Sequence, residues 1–73
     1  MRRDPCWVKS RIAARILLRR QTGRLQARDF RLARRLAEDP GVTDRLIGQA
    51  LACLCAEKGF RDYHAILQST LAS

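Results

Sequence analysis

Aromatic residues are scarce in this chain: Trp7, Phe30, Phe60 and Tyr63 are the four among 73 residues. Any core must therefore be aliphatic, and the aromatic platforms of common single-strand nucleic-acid binders are missing from the sequence. Histidine occurs once, as His64, which removes a His-x-x-x-His metal pair and leaves no Ser/Cys–His–Asp spacing. With four glycines and two prolines there is no Gly-rich phosphate loop and no low-complexity linker. No apolar run approaches the ~18 residues of a membrane span, and the opening "MRRDPCWVKS" lacks the apolar stretch of a secretory signal. An Arg-rich start imitates a mitochondrial presequence, but the same arginines continue into the predicted helices. A cytoplasmic protein is expected. The three cysteines (Cys6, Cys53, Cys55) do not form a secreted disulfide framework. On a helix Cys53 and Cys55 point about 200° apart, so they cannot share one ion. A zinc site would need Cys6, one helix cysteine and His64 to converge, short of the usual four ligands. The thiols read as small core residues. No metal, no cofactor and no catalytic constellation is expected, and the chain reads as a non-enzyme.

What is present is apolar residue and arginine. The apolar share is 47%, enough for a folded domain and too much for a disordered basic tail. Residues 1–73 have room for one helical domain. A chain of this size buries only roughly 60% of its unfolded surface, so dimerisation or partner binding is a natural supplement. The formal charge is +8, unevenly placed. Residues 1–35 hold twelve Lys/Arg against Asp4 and Asp29, whereas residues 36–73 hold three against five acids. Nearly all the excess is arginine, whose planar fork matches phosphates and carboxylates. A polyanion is the leading partner, and an acidic protein surface competes with it.

The punctuation along the chain is helical throughout, and the fold class is all-α. Residues 1–7 form an N-terminal arm and a first helix is predicted from Val8 to Gln21. It ends at "TG", with Gly23 in the left-handed cap position. A second helix runs from about Gln26 to Glu38, stopped by "DPG". Thr43 caps a third helix, with Asp44 in its first turn, and that helix runs to about Lys58 and closes at Gly59. "FRDYHAILQSTLA" makes a short fourth helix, with His64 half-buried on its flank.

At 100° per residue each helix shows a distinct face. The second carries Leu25, Phe30, Leu32, Ala33, Leu36 and Ala37 on one side. Arg24, Arg28, Arg31, Arg34 and Arg35 occupy the other. Five arginines without an acid between them repel at i,i+4 spacing, and that repulsion favours an anionic partner over mere solvation. The first helix adds Arg11, Arg15 and Arg19, four residues apart, on an otherwise wide apolar circumference. The third has a core side of Leu46, Ile47, Ala50, Leu51, Cys53 and Leu54. Its opposite side, Gly48, Ala52 and Ala56, is small enough for another backbone to come close. A homodimer through the apolar first helix or this small-residue face is one expectation.

The phrase "LAEDPGVTDRLIGQALACLCAEKGF" resembles the helix-turn-helix core of bacterial repressors, most closely the winged-helix regulators of the GntR type. The matching roles fall on Ala37, Gly41, Val42, Thr43, Ile47, Ala50, Leu51, Leu54, Glu57 and Gly59, about a third of the chain. Ala37 would let two helices cross closely, Gly41 would take a positive φ, Val42 and Ile47 would fill the wedge, and Thr43 would cap the reading helix. Pro40 stands where that family has an apolar residue, which lengthens the turn. After Gly59 the family continues into a β-hairpin wing, where this chain reads as helix. The likeness is thus to the tri-helical core without an evident wing.

That resemblance implies a small DNA-binding transcription regulator. Its base-reading candidates are Thr43, Arg45 and Gln49; arginine suits guanine and glutamine suits adenine. Arg11, Arg15, Arg19, Arg24, Arg28, Arg31, Arg34 and Arg35 would contact phosphates, which fix position without carrying sequence information. One short helix reads few base pairs, so a dimer on double-stranded DNA follows. The alternative is a helical adaptor or inhibitor of the antitoxin, anti-activator or phage-modulator kind, docked on an acidic or nucleic-acid-binding protein. RNA binding through the arginine stripes is a third reading.

Overall fold

The computed structural model describes residues 5–71, with the backbone alone for residues 69–71. Four helices form in the expected order: α1 (Pro5–Gln21), α2 (Ala27–Glu38), α3 (Asp44–Lys58) and α4 (Tyr63–Leu71). No strand occurs among the described residues, and none of their helices is long and apolar enough to cross a membrane. The fold is a small all-α bundle.

Local chemistry sets the helix ends. At the close of α1, Gly23 takes φ +71°. Arg24 N–H donates to Arg19 O (2.8 Å) and Gly23 N–H to Arg20 O (3.2 Å), the paired bonds of a Schellman cap. The same motif ends α3. Gly59 has φ +78°, and Phe60 N–H reaches Cys55 O at 2.8 Å. Thr43 Oγ1 accepts from Leu46 N–H at the start of α3 (3.3 Å), and Asp62 Oδ1 accepts from Ala65 N–H at the start of α4 (3.1 Å). The start of α1 differs from expectation. Of the arm over 1–7, residues 1–4 lie outside the described residues, while Pro5, Cys6 and Trp7 are already helical. Proline suits that first position because its missing N–H would have had no intrahelical partner. Trp7 is half-buried against the core, so α1 is anchored from its first turn.

The main apolar cluster joins α1, α3 and α4: Ala14, Leu18, Ala50, Leu51, Leu54, Cys55 and Ile66 are all buried. Trp7, Leu17, Tyr63 and Leu67 close around it. Ala14 and Ala50 have no exposed surface, and small residues there let the helix axes approach. Helix α1 touches each of the other three, and α3 also touches α4, whereas α2 packs on α1 alone. Of the wide apolar arc of α1, Ala14, Ile16 and Leu18 are buried within the chain, while Ile12, Ala13 and Leu17 are half-buried.

Helix α2 stands apart from this core. The sequence assigns it six inward apolar residues, yet only Leu36 is buried, together with Asp29. Phe30 is 64% exposed and Leu32 38%, Ala37 is exposed, and Leu25 and Ala33 are half-buried. One neighbour covers a narrow stripe, whereas a helix lodged between two neighbours buries a wide one. No close α2–α3 crossing forms at Ala37. An apolar slot of about 210 Å³, bordered by Leu17, Ala33, Leu36, Ala37 and Ile47, lies where the two helices diverge.

The divergence begins at Pro40. Val42 N–H donates to Asp39 O (3.1 Å) and Gly41 N–H to Asp39 Oδ1 (2.9 Å), giving a compact turn with proline in its favoured second position. Gly41 does not have the positive φ expected of it; among the described residues only Gly23 and Gly59 do. Its reason is steric. A Cβ on Gly41 would lie 2.5 Å from Cys6 Sγ, where the turn meets the first turn of α1. Gly41→Ala is expected to lower the melting temperature, and adding Cys6→Ala should restore most of the loss. A double variant no more stable than Gly41→Ala alone, in thermal melts, refutes this cause.

Lys9 Nζ reaches over the same turn to Asp39 Oδ2 at 2.6 Å. The Lys9 hydrogen bond, helped by the Gly41 N–H, holds the Asp39 carboxyl below the usual carboxylate range. The Asp39 hydrogen bond and charge hold the Lys9 ammonium above its own. A lowered acid stabilises above its unfolded pKa and stops doing so as pH falls through its folded one; a raised base does the converse on the alkaline side. Asp39→Asn is therefore expected to reduce Tm slightly and evenly from about pH 5 to 9, the gap closing below about pH 3. The effect is small because the pair is solvent-screened. Melts of both proteins across that range check it, and a gap that persists in acid contradicts it.

Candidate nucleic-acid interface

The eight arginines expected to contact phosphates divide into two groups. Three ion pairs occur among the described residues, and two of them use expected phosphate contacts. Arg11 Nη2 donates to Glu57 Oε1 and Oε2 at 2.9 and 2.8 Å, tying α1 to the end of α3. Arg19 Nη1 donates to Asp29 Oδ1 at 3.0 Å. Asp29 is 2% exposed, and its other oxygen accepts from Gln26 N–H at 3.0 Å. This carboxylate therefore caps α2 and latches it to α1 at once. Arg11 and Arg19 face acids of the fold itself, and their charge is largely neutralised there.

Arg15, Arg24, Arg28, Arg31, Arg34 and Arg35 form the second group. All six are exposed, and none is in an ion pair among the described residues. They line three adjoining hollows. One lies between α1 and α2, about 550 Å³, with Ile12, Ile16, Leu32 and the Arg19–Asp29 pair lining it beside Arg15, Arg28, Arg31 and Arg35. Sharing Arg31 and Arg35 with it is a second hollow, about 540 Å³, that adds Phe30 and Arg34. On the other side, past Arg15 and Arg19, a hollow of about 530 Å³ contains Arg24, Gln26, Lys58 and Phe60. The shared residues make this one continuous cationic band with a partly exposed phenylalanine at each end.

The base-reading candidates lie elsewhere. Thr43, Arg45 and Gln49 are exposed, with the Thr43 hydroxyl oxygen engaged in its cap. On the small-residue face of α3, a Cβ on Gly48 would sit 3.5 Å from Leu67 Cδ2, so α4 occupies that end, while Ala56 stays exposed. Of the three thiols expected in the core, Cys55 is buried, Cys6 half-buried and Cys53 exposed. Burial pushes the Cys55 thiol up, away from reactive thiolate chemistry. His64 is exposed, correcting the half-buried expectation, and its ring lies 4.1 Å from that of Tyr63, centroid to centroid. No group of three metal-ligating side chains occurs among the described residues.

Sequence reasoning missed the apolar lining of the groove, Lys58 and Phe60. Phe60 was legible only as the residue after a glycine cap. That cap turns the chain back beside the end of α1, which places Phe60 beside Arg15, Arg19 and Arg24, far earlier in sequence. No family model, no curated protein and no solved structure matches this chain.

Proposed function

We propose that this protein is a small nucleic-acid-binding regulator that holds phosphates with the α1–α2 arginine band and presents Arg45 and Gln49 of α3 to base edges of double-stranded DNA. The observation that carries this reading is the six exposed arginines on one continuous band without an acidic partner among the described residues. Arg28, Arg31 and Arg35 are three, four and seven residues apart on α2, so their charges repel in the free protein. A polyphosphate relieves that repulsion and releases its own condensed counterions. The partner is chosen by charge and the register by the helix face.

Titration of random-sequence duplex DNA, first in about 50 mM salt and then in about 200 mM, tests the proposal. Binding should be firm in the first and weaker by orders of magnitude in the second. Arg45→Ala and Gln49→Ala should relax sequence preference with little change in that salt dependence. No binding to duplex at low salt would remove the double-stranded assignment. An acidic protein partner would instead bind with a weaker dependence on salt, because a folded protein carries no condensed counterion layer to release.

A further inference from the structure

The cationic band has a feature that phosphate binding alone does not require. Its middle has an apolar share, Ile12, Ile16 and Leu32, set among the arginines and the Arg19–Asp29 pair. Its ends carry Phe30 at 64% exposure and Phe60 at 42%, two separate phenyl faces that revise the expectation of no surface for single strand. The backbone of a duplex presents a rod of phosphates with its bases stacked inside, so it covers neither an aliphatic share nor an isolated phenyl face. A single strand has both kinds of surface available: phosphates along one edge and flat, unstacked bases along the other.

We infer that the band is a track for single-stranded nucleic acid, with bases stacked on Phe30 and Phe60 and laid over the aliphatic residues while Arg15, Arg28, Arg31 and Arg35 hold the intervening phosphates. The inference rests on the nucleic-acid reading above but puts single strand in place of duplex as the ligand the band prefers, a duplex meeting it through phosphates alone. Its dimensions suit a short strand. The longest Cα extent of the molecule is 29 Å, and single-strand sites of comparable small domains cover about 4–16 nucleotides. Phenylalanine stacks on every base, so the track discriminates by strand state and little by sequence. Neither phenylalanine belongs to the buried cluster, which frees both for a ligand at little cost to the fold.

The test compares oligothymidylate of about 12 nucleotides with a duplex of the same length, by fluorescence anisotropy at low salt. Phe30→Ala and Phe60→Ala should each weaken single-strand binding about tenfold and change duplex binding and the salt slope little. Phe30→Trp should keep the affinity, and its added emission should be quenched by the single strand and not by the duplex. Thermal melts of the variants confirm that they fold. Duplex binding with alanine variants that bind the single strand like the wild type would overturn the stacking track and leave the nucleic-acid reading standing. Binding to neither oligonucleotide would overturn both. Poly-glutamate binding that depends on the two phenylalanines, in place of oligonucleotide binding, would assign the band to an acidic protein and overturn both as well.

Discussion

Leu51→Ala is expected to destabilise the protein by about 3–4 kcal/mol, most of the stability that a chain of this length has to lose. Leu51 has no exposed surface and lies in the cluster that α1, α3 and α4 share. Truncation there removes the transfer energy of the side chain and leaves a sealed void that three helices cannot all move to fill. Leu36→Ala, the same chemical change on α2, should cost about 2 kcal/mol. Leu36 already borders an open slot, so its truncation widens an existing gap without creating a sealed one. The two variants should differ in kind as well as size. Urea melts of Leu51→Ala should shift as one global transition. Hydrogen exchange of Leu36→Ala should speed up along α2, with the amides of α3 close to wild type, because α2 packs on α1 alone and can open separately. Equal losses, or protection lost equally in α2 and α3, would contradict a core that excludes α2.

The parts of this fold that were legible in the sequence are those decided within a few residues. Gly23 and Gly59 ended helices as expected and Thr43 capped one, because left-handed backbone and a hydroxyl oxygen act on the nearest peptide groups. The faces of α2 were legible only in part. Periodicity says which side of a helix is apolar, but not whether a second neighbour arrives to cover it. Phe30 is exposed for that reason, with α3 diverging beyond Pro40. Arg11 and Arg19 were read as free charges because their acids, Glu57 and Asp29, lie forty-six and ten residues away, and pattern reading sees only the same helical turn. Gly41 shows the same limit from another side. The helix-turn-helix likeness implied a positive φ there, whereas the cause of the glycine here is a sulfur atom thirty-five positions earlier. The candidate site follows suit: its arginines were visible as a stripe, and its apolar lining and aromatic ends needed tertiary placement.

Replacing Arg28, Arg31 and Arg35 together by alanine should weaken nucleic-acid binding about a hundredfold or more near 0.1 M salt and make the log–log salt slope shallower by about 2–3. These three side chains line the main groove from α2, and each phosphate they neutralise returns nearly one counterion to solution. Arg11→Ala is the internal control. Its guanidinium already faces Glu57, so its removal should leave the slope unchanged although the charge lost per site is the same. Total charge and placed charge are thereby separated. Loss of folding is not a competing explanation for the triple variant. Alanine is the stronger helix former, and deleting like charges three, four and seven residues apart relieves repulsion, so α2 should be at least as stable as before. A triple variant that melts like the wild type and keeps its salt slope would show that the band does not hold phosphate. If Arg11→Ala flattens the slope as much as any one of the three, the binding follows net charge alone, and the geometry of the groove has no part in it.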